Sequence, residues 1–233
     1  MEQKKKRIFS IGFLLIVALL AGGWFIKDDV FKWYHYRQLQ KAAKVHSTNR
    51  MSNPANLKAV DSGVTMLHSG DLVMRTGADI ISYMLSQMNQ VNKTYSHSGL
   101  VIVEHGYPFV YHCIGGEDNP DEKLRRDSAC FFLSPAGNMG FGIARFDADS
   151  THLNKLIQVV RKIYKKGPKF DLDFNLQTND KLYCAEFVYK AVDEAMEDST
   201  YIIPTTKNGF TFVGVDNLYC NSHTHLVCQI EYK

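Results

Sequence analysis

Cys184, His97 and His112 are the side chains whose types and settings suit chemistry. "KLYCAEFVYKA" (Lys181 to Ala191) puts Cys184 where a helix begins. The unpaired N–H groups and dipole of a helix start favour a thiolate, which predicts a thiol that alkylating reagents reach well below pH 8. A nucleophilic thiol needs a base, and histidine is poised for that near neutral pH. His97 in "YSHSGLVIV" opens an apolar strand, with Gly99 beside it to leave room for a substrate backbone. A third group must hold the imidazole in one tautomer, and the same hairpin offers His112 and Glu104. If His105–Gly106 is a two-residue turn closed by Glu104 and Tyr107, Gly99 faces His112. Alternation along the strands then puts His112 diagonally from His97 on one face and Glu104 on the other. The expected set is Cys184 as nucleophile, His97 as base and His112 as orienter, with Glu104 in reserve.

Other polar clusters carry less. "EDNPDE" (Glu117 to Glu122) lacks the spacing and turn glycine of a calcium loop and reads as a solvated acidic loop. "HTH" at His223 to His225 lacks a third ligand at a recognisable spacing. No metal and no organic cofactor is expected.

The elements that must position these residues follow from periodicity. "DLVMR", "HSGLVIVE", "YPFVYHC", "FGIARF" and "HLVCQIEY" read as strands. "ADIISYMLSQMNQ" spaces Ile80, Ile81, Met84 and Met88 along one side of a helix. Asp149 to Gly167 is the clearest helix: Ser150 can cap it, Leu153, Leu156, Ile157, Val160 and Ile163 form the buried stripe, and Gly167 closes it. The helix opened by Cys184 turns Val188, Ala191, Val192 and Ala195 inward. Gly115 to Asn138 shows no clear pattern. Helices mixed with mostly antiparallel strands imply an α+β fold.

The 233 residues and 45% hydrophobic content suit one ordinary domain with extra segments. The net charge of +3 is too mild for a dedicated nucleic-acid binder. "KKKR" (Lys4 to Arg7) precedes an uncharged apolar run, Ile8 to Ile26, long enough to span a bilayer with the N-terminus cytoplasmic. This predicts a single-pass membrane protein with its catalytic part outside the cytoplasm, periplasmic or extracellular, and a secreted one if the segment is cleaved at Ala21 to Gly23. The expected organisation is 1–26 as anchor or signal segment, 27–56 as juxtamembrane helix and linker with a loop from His46 to Asn56, and 57–233 as the catalytic domain. Cys113, Cys130, Cys184, Cys220 and Cys228 make an odd count, so at least one thiol is expected to stay unpaired outside the cytoplasm, and their pairing is open.

In chain order, "SGDLVMR" (Ser69 to Arg75), "SHSGLVIV" (Ser96 to Val103), "PFVYHC" (Pro108 to Cys113) and "FDLDFN…DKLYCAEFVYKA" (Phe170 to Ala191) resemble the NlpC/p60 superfamily of cysteine hydrolases in its permuted YiiX-like branch. The resemblance spans about Leu67 to Ala195. It implies a circularly permuted papain-like domain with a small antiparallel sheet packed on the cysteine helix, here preceded by one N-terminal transmembrane helix. On this resemblance Cys184 matches the nucleophile and His97 the base. His112 stands where the branch often has Glu, and Glu186 is shared. The implied activity is hydrolysis of amide bonds, with cell-wall peptides as substrate class. Two alternatives are a lipid-directed acyl hydrolase or acyltransferase working through a thioester, and an inactive binding domain of the same fold.

Overall fold

The computed structural model describes residues 44–116 and 119–233, together with Arg37 and Lys41. The chain divides after His46, and Ser47–Lys233 forms one compact unit. Among the described residues no helix is long and apolar enough to cross a membrane. The run Ile8 to Ile26 and nearly all of the expected juxtamembrane helix lie outside them.

A six-stranded antiparallel sheet forms the centre, in the order β4-β3-β2-β1-β5-β8. Its strands are β1 (Leu72–Gly77), β2 (His97–Glu104), β3 (Tyr107–His112), β4 (Arg125–Ser128), β5 (Asn138–Phe146) and β8 (Thr224–Glu231). Helices α1 (Pro54–Met66), α2 (Ile80–Ser86), α3 (Ala129–Phe132), α4 (Ser150–Lys166), α5 (Cys184–Met196) and α6 (Val215–Tyr219) surround it, and β6 (Thr205–Lys207) pairs with β7 (Phe210–Phe212) as a separate hairpin. The fold is α+β.

The central strands bury both faces, so they read as near-continuous apolar runs. On one side Leu72, Met74, Leu100, Ile102 and Tyr111 pack with Leu156 and Val160 of α4 and Phe187, Val188 and Ala191 of α5. On the other, Val73, Val101, Val110, Phe141 and Ile143 pack under Val60 of α1 and Phe132 of α3. The far end of the chain closes on α1: Asn56 Nδ2 donates to Lys233 O (2.9 Å) and Lys233 N donates to Asn56 Oδ1 (3.0 Å).

The β2–β3 hairpin has the expected register, with Leu100 opposite Tyr111, Val101 opposite Val110 and Glu104 opposite Tyr107. His105 and Gly106 both take positive φ, as a two-residue turn with the twist of the flanking strands demands. The expected space beside Gly99 is filled, however. A Cβ there would lie 2.6 Å from Val110 Cγ1 and 2.7 Å from Tyr111 O. Gly99→Ala is therefore expected to destabilise the protein by about 1–3 kcal/mol, lowering Tm by about 3–10 °C in a thermal melt.

Four other expectations change. Residues 44–52 are helical and Asn53 caps α1, so His46 to Asn56 is not a loop. Pro54 at the first turn starts that second helix, where its missing N–H costs nothing. Asp149, not Ser150, caps α4, accepting from His152 N at 2.9 Å. The stretch 115–138 holds β4 and α3. Finally, α2 does not bury its stripe: Ile80, Ile81 and Met84 are exposed. Its sequence is apolar nearly all round, so spacing alone does not choose a face. Asn89 chooses it, donating to Tyr95 O (2.8 Å) and accepting from Val215 N (2.9 Å).

Candidate active site

Cys184 sits at the first position of α5, held by an ordered approach. Leu182 N donates to Lys169 O (2.8 Å), and the buried Asp171 carboxylate accepts from Asp173 N (2.9 Å) and Asn175 N (2.7 Å). Tyr183 caps the helix start. Its N–H donates to Glu186 Oε2 (3.2 Å), and its hydroxyl accepts from Val213 N (2.8 Å). Glu186 is fully buried with Lys190 Nζ 2.9 Å from Oε1; burial pushes its carboxyl up to about 7 against that ion pair. Glu186 therefore belongs to the frame of the helix start.

On the hairpin, His97 Nε2 lies 2.8 Å from His112 Nδ1, and the rings meet edge to face. His112 Nε2 lies 3.0 Å from Asp127 Oδ2, and Arg125 Nη2 donates to Asp127 Oδ1 at 2.8 Å. The strand register thus delivers a line of three groups, His97–His112–Asp127. Phe132 packs against both imidazoles, and the Arg75 guanidinium lies over its ring. Glu104 is elsewhere, taken up by Tyr111 and Arg126. Asp127 was not among the expected site residues. Its segment, "RRDS", is too short to show an alternation, and the one available clue was its place after the hairpin.

The line fixes its own protons. Burial lowers His112 to about 4, with Arg75 and Arg125 acting the same way and Asp127 opposing them. Burial, Arg75 and His112 hold His97 well below the ordinary imidazole range. Burial alone would raise Asp127, but hydrogen bonds from His112 and Arg125 outweigh it and keep the carboxylate ionised. An ionised Asp127 accepts from His112 Nε2–H. His112 Nδ1 then accepts from His97 Nε2–H, and the lone pair of His97 falls on Nδ1. No hydrogen bond among the described residues occupies that nitrogen.

Cys184 approaches β2 at Ser98, next to His97. The Ser98 backbone and hydroxyl and the Ala185 and Cys184 backbone all favour its thiolate, yet burial outweighs them and raises the thiol above its ordinary value. The expectation of a lowered thiol is therefore corrected: dehydration at this helix start exceeds the pull of the N–H groups. No hydrogen bond joins the sulfur to the imidazole. Alternation explains why, since Leu100 and Ile102 face α5 while His97 shares its face with Val101 and Phe132. The structure thus joins His97 to His112 but joins Cys184 to neither, and at rest thiol and imidazole are both neutral. Alkylation of Cys184, followed by peptide mapping, is expected to accelerate about tenfold per pH unit through pH 9. A plateau below pH 7 would instead mean a thiolate–imidazolium pair.

All five thiols are unbridged. Cys113 is buried, and its thiol is raised by burial and by the neighbouring Cys184 and Glu186. His223 stacks on Tyr201 and His225 sits 2.9 Å from Asp147, so "HTH" serves the surface.

No family model matches this chain. Nor does any curated protein. Among solved structures the fold is similar to that of yiiX from Escherichia coli O157:H7, described as a metalloprotein, with a TM-score of 0.57 and 16% identity over 70% of this chain and 98% of that one.

Proposed function

We propose that Ser47–Lys233 is the catalytic unit of an exported, membrane-anchored cysteine hydrolase that cleaves amide bonds in cell-wall-type peptides. Cys184 is the nucleophile, His97 the base and His112 the group that holds the base. The motif resemblance to the permuted NlpC/p60 branch and the yiiX-like fold support the reading. The observation that carries it is the His97–His112–Asp127 line, which holds His97 as a neutral imidazole with its lone pair on Nδ1.

The step begins from neutral groups. His97 rests on the face of β2 away from Cys184, so it must turn towards the sulfur when substrate binds; its Nδ1 then takes the thiol proton as sulfur attacks the carbonyl carbon. The developing oxyanion is met by the Cys184 and Ala185 N–H groups at the helix start. The imidazolium is stabilised through His112 by Asp127, and it returns the proton to the departing amine. Water then attacks the thioester, giving its proton to His97, and the acid leaves as sulfur is reprotonated.

The neighbour is called a metalloprotein, but the described residues of this site do not fit a metal. Among the described residues no group of three or more His, Cys, Asp or Glu is placed to hold one. The two site imidazoles also spend their facing nitrogens on each other.

The exposed apolar residues of α2 favour a second reading, an acyl chain in ester or amide linkage as substrate. Incubating the full chain with muropeptides and with phospholipids separates the two. Cleavage of muropeptide by the parent and not by Cys184→Ala is the expected result. Acyl release from phospholipid alone would select the second reading, and neither product would leave a binding domain.

A further inference from the structure

We propose that α2, the loop after it and the tip of the β6–β7 hairpin form a bilayer-docking surface that lays the His97 end of the sheet against lipid. This rests on the membrane-anchored part of the reading above but not on which bond is cut.

Ile80, Ile81, Tyr83 and Met84 are each at least 60% exposed, and Val91 is 79% exposed. Four large apolar side chains in water on one helix of seven residues are not a folding device. The surface is also built rather than loose. Asp79 caps α2 through Ser82 N (2.9 Å), and the buried Asp216 carboxylate takes Gln90 N (2.7 Å) and Val91 N (2.6 Å). Lys207 Nζ reaches Gln90 Oε1 (3.2 Å), which brings the hairpin tip with its half-exposed Phe210 against this loop.

Its chemistry suits a lipid headgroup layer. Aliphatic and aromatic tips project beside Lys93 and Lys207, which rest on the neutral amides of Gln87 and Gln90 and are not ion-paired among the described residues. From Arg75 to Ser98 the only acid is Asp79. Apolar projections beside uncompensated lysines match an anionic interface. The chain also supplies proximity. The 20 residues between Ile26 and Ser47 reach at most about 70 Å, so an inserted apolar run keeps this domain beside the bilayer. The patch follows β1 and precedes His97, so docking there opens the site towards lipid or towards material lying on it.

The test uses the full chain reconstituted into anionic phosphatidylglycerol vesicles, with acyl chains brominated or not. The native Trp24 and Trp33 report the anchor. Tyr83→Trp reports the patch, and Tyr107→Trp, on the exposed turn at the opposite end of β2, is the control. Bromine is expected to lower the added emission of Tyr83→Trp at least about twofold, the depth of an interfacial side chain, and to leave Tyr107→Trp nearly unchanged. Adding Ile81→Ser and Met84→Ser to Tyr83→Trp is expected to restore the emission. Equal response at positions 83 and 107 overturns the proposal. So does a Tyr83→Trp signal that ignores bromine but shifts with protein concentration, which marks a second copy as the occupant. Native tryptophans that escape quenching would defeat the anchor, whatever position 83 shows.

Discussion

Cys184→Ala is expected to abolish hydrolysis, with kcat/KM falling at least about a thousandfold while the thermal melt stays within a few degrees of the parent. The side chain lost is small, and its main contacts are Ser98 and its own helix start, so folding should survive. His97→Ala should lose nearly as much. The two losses should not add, because thiol and imidazole act as one unit. Asp127→Asn discriminates further. It keeps the shape but no longer forces the proton onto His112 Nε2, so His97 no longer holds its lone pair on Nδ1. A loss of about ten- to a hundredfold in kcat with little change in KM is expected. Steady-state kinetics on a muropeptide substrate check all three. Full activity in Cys184→Ala would remove the enzymatic reading altogether.

The largest effect on stability is expected from Asp71→Ala. Asp71 is buried at the start of β1 and grips Arg145 of β5 with both carboxylate oxygens (Nε–Oδ1 2.7 Å, Nη2–Oδ2 2.8 Å) while accepting from His68 N at 2.7 Å. Its own backbone carbonyl accepts from Val101 N (2.9 Å), so this corner ties β1, β2 and β5 together. Removing one partner strands the other, at a cost of about 3–5 kcal/mol for a fully buried pair. Arg145 keeps some contact with water, so about 3 kcal/mol is expected, or roughly 6–12 °C in Tm. Hydrolysis at low temperature should be retained, since the pair holds strands and not the substrate. A double change of Asp71 and Arg145 to apolar residues should recover part of the loss.

Strand alternation and turn chemistry made much of this legible. The spacing of His97, Gly99 and His112 about a two-residue turn defines a register before any coordinates, and the observed pairs obey it. Helix α4 was legible for the same reason, its apolar stripe ending in lysines and a left-handed Gly167. The obscure parts were those fixed at a distance. β4 is four residues long and exists because β3 offers it an edge, so Asp127 carried no local signal. The exposure of α2 depends on Asn89 and Asp216, the second of which is far along the chain. Thiol acidity depends on dehydration, which helix position does not reveal.

Asn56 and Lys233 exchange two hydrogen bonds, so the first full helix of Ser47–Lys233 and its last residue are already stitched edge to edge. Joining them by a short peptide and cutting elsewhere at an exposed turn would leave every sheet contact in place. The same sheet could therefore be closed from more than one opening of the chain.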